Sequence, residues 1–212
     1  VHAHPRFYRL TRMETMLYFG SFNPVHKGHI AIAEWVLDQG LCEEVWFVVS
    51  PRSPFKRQEE LAEEQHRLEM VRTAAGESSH PDRIRACGIE FDLPKPSYTV
   101  DTLQVLEERY PNRTFSILIG EDNVSGLPRW KGYDRFIRKY RIWYYPRSGG
   151  DGTKYDTPAK ALPFAPLLDY SATEIRRRLR LGESVEEMVT PGVYRYIEKH
   201  RLWTCTTDCK TK

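Results

Sequence analysis

Apolar residues along this chain follow two alternating periods. Met16–Phe19, Glu44–Ser50, Ile84–Phe91, Thr114–Ile119 and Arg141–Tyr145 are short apolar runs bounded by turn residues, the pattern of buried strands. Between them apolar residues recur every three or four positions. Ile30, Ala33 and Val36 or Leu37 follow Gly28 and stop at Gly40, and Leu68, Val71 and Ala75 lie within Ala62–Ala75 before Gly76. Val100, Leu103 and Leu106 form the stripe of a helix over Tyr98–Tyr110, capped by Ser97 or Thr99, and another helix spans Tyr133–Tyr140. A short strand at Phe164–Leu168 and helices at Ala172–Leu181, Val185–Val189 and Val193–Leu202 complete the chain.

Strands separated by helices of about ten to fifteen residues form βαβ units, whose right-handed crossovers make a mostly parallel sheet covered on both faces. The expected fold is therefore α/β, a Rossmann-like parallel sheet flanked by helices, with a small helical C-terminal part. Residues 1–15 read as an extension or start-site artefact, 16–203 as a single domain with its C-terminal helical part at 171–203, and 204–212 as a tail. Residues 146–163 lose all periodicity and contain Gly149-Gly150-Asp151-Gly152, which reads as a long loop able to act as a lid.

Composition changes this picture little. Lys plus Arg exceed Asp plus Glu by 32 to 29, a net charge of +3, and so mild a balance argues for neither nucleic acid nor membrane partners. No stretch approaches the roughly 18 apolar residues that span a bilayer. Cys42, Cys87, Cys205 and Cys209 show no C-x-x-C spacing, which suits a reducing compartment and a cytoplasmic location. Oligomeric state is left open, a homo-oligomer included.

The densest chemistry lies in Tyr18-Phe19-Gly20-Ser21-Phe22-Asn23-Pro24-Val25-His26-Lys27-Gly28-His29, a strand end, a tight turn and a helix start. Backbone N–H groups and the positive end of a helix dipole favour an anion there, and His26 and His29, three residues apart, share a face and add donors. The other readings are a capping plus a packed histidine, or a metal pair; zinc would need further ligands that do not follow at motif spacing. Downstream, Tyr170-Ser171-Ala172-Thr173-Glu174-Ile175-Arg176 sets hydroxyls and an arginine at a helix start, either a second phosphate clamp or an N-cap followed by a solvated basic helix.

Gly-Ser-Phe-Asn-Pro-x-His-x-Gly-His is similar to the signature of the nucleotidyltransferase superfamily, and Ser171-Ala172-Thr173-Glu174-Ile175-Arg176 resembles the motif the same superfamily uses against a triphosphate. Pro54-Phe55-Lys56, Ser97-Tyr98-Thr99-Val100-Asp101-Thr102 and Ile119 to Trp130 narrow the resemblance to the nicotinate mononucleotide adenylyltransferase family. It implies transfer of AMP from ATP to nicotinate mononucleotide, with Mg²⁺ accompanying ATP and no protein-held metal. The nicotinamide mononucleotide, or both mononucleotides, is the alternative acceptor, and a non-catalytic nucleotide-binding module is a remote one.

By the same resemblance His26, His29 and Arg176 are the catalytic candidates. Gly20, Ser21, Phe22, Lys56, Ser171 and Thr173 would bind ATP and its phosphates, and Asn23, Tyr98, Thr99, Asp122 and Trp130 the mononucleotide. Because Phe19 stands where many relatives have a second glycine, Gly20 is expected to be the residue that lets a phosphate approach the backbone. Tyr98 and Thr99 could instead simply start a helix, Asp122 could form a turn, and Trp130 could be core.

Overall fold

The computed structural model describes residues 12–51, 61–146 and 155–204. Six strands, β1 (Met13–Gly20), β2 (Glu44–Val49), β3 (Ile84–Cys87), β4 (Arg113–Gly120), β5 (Arg141–Tyr145) and β6 (Lys160–Ala161), form one sheet in the order β3-β2-β1-β4-β5-β6. Every pairing is parallel. The helices are α1 (Lys27–Asp38), α2 (Glu64–Gly76), α3 (Thr99–Arg109), α4 (Tyr133–Lys139), α5 (Ala172–Leu181) and α6 (Pro191–His200).

Parallel strands buried on both faces need apolar residues at consecutive positions, and β2 is buried at all six of its residues. Alternate side chains serve two cores. Met16, Tyr18, Val45 and Phe47 pack with Ala33, Val71, Ile175 and Ile197 on one face. Leu17, Trp46, Val48 and Ile117 pack with Leu103, Leu106 and Phe136 on the other. The order of strands reverses between β1 and β4, and in such sheets the crevice at the carboxyl ends beside that reversal receives the ligand. The turn after Gly20 and the segment after Gly120 both start there.

At the opposite end of the sheet Glu44 is buried and fully engaged. It accepts from Trp46 Nε1 at 2.7 Å, Arg113 Nη1 at 3.0 Å and Arg85 Nη2 at 3.3 Å.

Several elements differ from the sequence expectation. β1 begins at Met13, whose register partner is Arg113, so residues 13–15, assigned above to an extension, belong to the sheet. Phe164–Leu168 is not a strand: Pro163 and Pro166 each lack the N–H a ladder needs, Phe164 is 85% exposed, and β6 forms earlier, at Lys160–Ala161. Val185–Val189 is a turn that buries Val185, Met188 and Val189, because Gly182 in the left-handed region ends α5 and Pro191 starts α6, leaving too few residues for a stable helix. The run Ile84–Phe91 divides into β3 and a 3-10 helix at Ile89–Asp92. A second 3-10 helix over Glu121–Arg129 has no clear apolar period in the sequence. Lys56, Cys205, Cys209 and the Gly149–Gly152 run lie outside the described residues.

Candidate active site

The His-rich turn is held from below by aromatic packing. Phe22 is buried with φ 44°, a left-handed conformation rare for a bulky side chain. Its ring meets Tyr18 edge-on at 5.5 Å and His29 edge-on at 5.2 Å. A Cβ on Gly20 would lie 2.8 Å from Cζ of that ring. The space that glycine leaves is therefore occupied by Phe22. Gly20 thus seats a ring, and the Phe22 side chain is a buried wedge under the turn, so any contact of these two residues with a nucleotide would be made by their backbone.

Above the wedge, the His26 and His29 rings stack at 3.7 Å with 27° between their planes. The His26 backbone N–H donates to His29 Nδ1 at 3.2 Å. An Nδ1 that accepts carries no proton, so the geometry selects the tautomer with hydrogen on Nε2 and opposes the imidazolium. Gly28 fits between: a Cβ there would lie 3.0 Å from His26 Nδ1.

The helix start also offers fewer amides than expected. Lys27 N–H donates to the Met188 carbonyl at 2.9 Å, and His29 N–H and Ile30 N–H turn back to the His26 carbonyl. Lys27 Nζ reaches the Glu186 carbonyl at 3.1 Å, so the C-terminal turn clamps the opening of α1. Gly28 N–H is the first-turn amide with no protein acceptor among the described residues.

His26, Gly28 and His29 line a cleft of about 210 Å³ together with Tyr145, Asp169 and Ser171. The structure thus brings the histidine motif and the opening of α5 to one cavity. Ser171 caps α5, its Oγ accepting from Glu174 N–H at 3.1 Å. Thr173 is exposed, and Arg176 is buried: its Nη1 donates to the Asn23 carbonyl at 2.8 Å and its Nη2 lies 3.5 Å from Thr173 Oγ1. Asn23 Oδ1 in turn accepts from Ala62 N–H at 3.0 Å. Arg176 and Asn23, expected to meet substrate, are thus engaged in joining the turn to α5 and α2, and Ser21 offers its carbonyl to Arg67 Nη1 at 2.8 Å.

The mononucleotide candidates form a second group. Tyr98 is the N-cap of α3 without a side-chain cap, since the Ser97 hydroxyl turns to Glu90 Oε2 at 3.3 Å instead of capping, and Thr99 is the first helical residue. Lys131 places its ammonium 4.7 Å from the Tyr98 ring centroid and pairs with Asp101 at 2.8 Å, bringing the 98–101 segment beside Trp130. Trp130 is half-buried, one side against Phe136 at 5.7 Å. Asp122 is exposed just beyond β4, accepting from Asn123 Nδ2 at 3.3 Å. None of these lines the histidine cleft.

Two residues that sequence reasoning missed organise this region. Arg67 is 1% exposed and gives its fork to four backbone carbonyls. Glu90 is 3% exposed and accepts from Thr102 Oγ1 at 2.8 Å as well as from Ser97. Burial pushes the Glu90 carboxyl above its ordinary value, against the opposing hydroxyl hydrogen bonds. The one available signal was a charged residue inside an otherwise apolar helical face or beside a strand end.

The sequence pattern of the cytidylyltransferase-like family matches residues 17–178. A Cytophaga hutchinsonii protein named "Probable nicotinate-nucleotide adenylyltransferase" is 38% identical over 193 residues, covering 91% of this chain and 99% of its own. The Bacteroides thetaiotaomicron protein of the same name is 39% identical over 190 residues, covering 89% and 93%. The chain belongs to the nicotinate-nucleotide adenylyltransferase family of cytidylyltransferase-like proteins. The fold of this family member also matches a Plasmodium falciparum nicotinic acid mononucleotide adenylyltransferase complexed with NaAD, with a TM-score of 0.74, 21% identity and coverage of 90% and 97%.

Two outcomes test the site as described. Gly20→Ala is expected to lose about 1–3 kcal/mol of stability by displacing the Phe22 ring; an unchanged denaturation midpoint with a raised KM for ATP would instead return Gly20 to a phosphate-approach role. For Glu90, the raised folded value means that the native state binds more protons than the unfolded chain between pH 4.5 and that value, so stability falls as pH rises through the window. Glu90→Gln removes this slope, and its stability relative to wild type is expected to improve between acid and neutral urea titrations; an equal difference at both pH values would contradict the assignment.

Proposed function

We propose that this protein transfers AMP from ATP to nicotinate mononucleotide, giving nicotinate adenine dinucleotide and pyrophosphate. The observation that carries this reading is the stacked His26–His29 pair opening on the same cleft as Ser171 at the start of α5, at the reversal of strand order. The names of the relatives support the same reaction.

The reaction needs no covalent enzyme intermediate. A phosphate oxygen of the mononucleotide attacks the α-phosphorus of ATP, the bond from that phosphorus to the bridging oxygen breaks, and pyrophosphate departs with the electron pair. The protein's part is alignment and stabilisation of charge on the transferring group. His29, fixed through Nδ1, presents Nε2–H as a directional donor. His26, stacked on it, and Gly28 N–H supply the neighbouring contacts. Ser171 and the first turn of α5 face the anion from the other wall, with Thr173 beside them, and Lys56 completes the set of candidate phosphate ligands. Asn23 and Arg176 act by holding the turn.

Among the described residues no group of three His, Cys, Asp or Glu could hold a metal. The cleft wall offers one carboxylate, Asp169, among imidazole, amide and hydroxyl donors. That set fits Mg²⁺ arriving with ATP, held by phosphate oxygens and water near Asp169, where it would neutralise charge on the departing pyrophosphate. For the acceptor, Trp130 offers its outer side to a flat ring, Tyr98 and Thr99 stand at the positive end of α3 where a pyridine carboxylate is favoured, and Asp122 accepts from sugar hydroxyls. No helix among the described residues is long and apolar enough to cross a membrane, and we place the reaction in the cytoplasm.

Pyrophosphate release from ATP and Mg²⁺, measured side by side with the acid and the amide mononucleotide, is expected to favour the acid. Equal rates would make the enzyme dual-specific, and silence with both would leave only nucleotide binding. His29→Ala should lower kcat by about 10²–10³, the loss associated with one preorganised transition-state donor. Wild-type turnover by folded His29→Ala would remove His29 from the chemistry.

A further inference from the structure

Arg67 is the largest fully buried side chain among the described residues, and neither the histidine motif nor the proposed chemistry uses it. Its Nε donates to the Ala62 carbonyl at 2.9 Å, Nη1 to Ser21 at 2.8 Å and to Ser50 at 2.7 Å, and Nη2 to Pro51 at 2.9 Å. These acceptors belong to three separate parts of the chain: the turn after β1, the end of β2 and the approach to α2. A planar fork with five N–H groups can meet them together, whereas an ammonium has three donors around one point.

The grip continues past Ser21. On the other side of Phe22, the Asn23 carbonyl is held by Arg176 at 2.8 Å and the Asn23 side chain by Ala62 N–H at 3.0 Å. Phe22, in its left-handed conformation, is therefore fixed at both flanking residues. Its ring, in turn, has two neighbours that cannot yield easily: the Gly20 backbone on one edge and the His29 imidazole at 5.2 Å on the other.

We propose that Arg67 is a positioning residue for adenylyl transfer: by holding the Ser21 carbonyl it sets the Phe22 ring, and through that ring the orientation of His29. The activity arm of this inference rests on the reaction proposed above. A purely structural Arg67 would lower stability and leave turnover of the folded protein alone. A positioning Arg67 lowers kcat more than KM, because the misplaced donor matters most in the transition state.

The test compares Arg67→Lys, which keeps the charge and loses the fork, with Glu44→Gln, which disturbs a buried ion pair at the far end of the sheet. Both are assayed at a temperature where circular dichroism shows them folded. Arg67→Lys is expected to lose about 10- to 100-fold in kcat, the scale of a small misplacement at a reacting centre, with KM for ATP and mononucleotide nearly unchanged. The His29 imidazole NMR resonance, assigned by its loss in His29→Ala, is expected to shift in Arg67→Lys and to stay in place in Glu44→Gln. A kcat that tracks Glu44→Gln, or an unmoved His29 resonance, overturns the proposal; the resonance decides it even if wild type releases no pyrophosphate, an outcome that would count against the transferase reading instead. Should Arg67→Lys not fold, Phe22→Leu tests the same path one step later, and unchanged kcat there overturns it.

Discussion

The architecture of this end of the sheet depends on one buried guanidinium. Arg67 has no carboxylate within hydrogen-bonding distance among the described residues, and desolvation lowers its pKa to about 10, so it stays charged at neutral pH. Four carbonyl dipoles supply the stabilisation that water would otherwise give. A buried cation satisfied in this way contributes little net stability compared with an apolar replacement, yet it strongly penalises any rearrangement that takes one carbonyl away. The result is directional: the carboxyl ends of β1 and β2 and the start of α2 keep one mutual arrangement, at the place where β1 delivers the histidine motif.

The second constraint is steric and acts on the same turn. Gly20, Phe22 and Gly28 divide a small space: one glycine admits the ring of Phe22, and the other admits the stacked imidazoles. The glycines of this motif work here by accommodating side chains of the protein itself. In the first turn of α1 Gly28 N–H is the amide with no protein acceptor among the described residues, because the Lys27 amide is taken by the Met188 carbonyl of the C-terminal turn. The small C-terminal helical part thereby becomes a structural element of the site, with Ser171 forming one wall and Met188 closing the opening of α1.

Much of this was legible in the sequence where one local rule dominates. The strand Arg141–Tyr145 and the helix Ala172–Leu181 have the bounds their patterns predict, because apolar runs and Ser–Gly end signals act within a few residues. Phe164–Leu168 misled because its apolar residues go different ways, Phe164 out to solvent, Ala165 into the core, and Leu167 and Leu168 onto the cleft wall, and only Pro163 and Pro166 spoke against a strand. The histidine pair was legible from its spacing. The inward turn of Arg176 and the roles of Arg67 and Glu90 were not, because each depends on at least one partner 12 to 153 residues away that no local period encodes, and the seating of Phe22 was not, because its left-handed backbone is set by tertiary packing.

The accepting Nδ1 of His29 carries a last consequence for how the site can work. An imidazolium brings full charge but must lose the His26 amide contact, whereas the neutral ring keeps that contact and offers a single N–H in a fixed direction. Transition-state stabilisation depends on donors that need no reorganisation as charge develops. The packing of Tyr18 and Phe22 against His29 favours the second arrangement, since aromatic edges fix a ring but offer little to solvate a charge. Under the proposed reaction His29 would therefore serve as an oriented dipole, and the positive charge facing the polyphosphate would come from Mg²⁺ brought with ATP and from basic side chains.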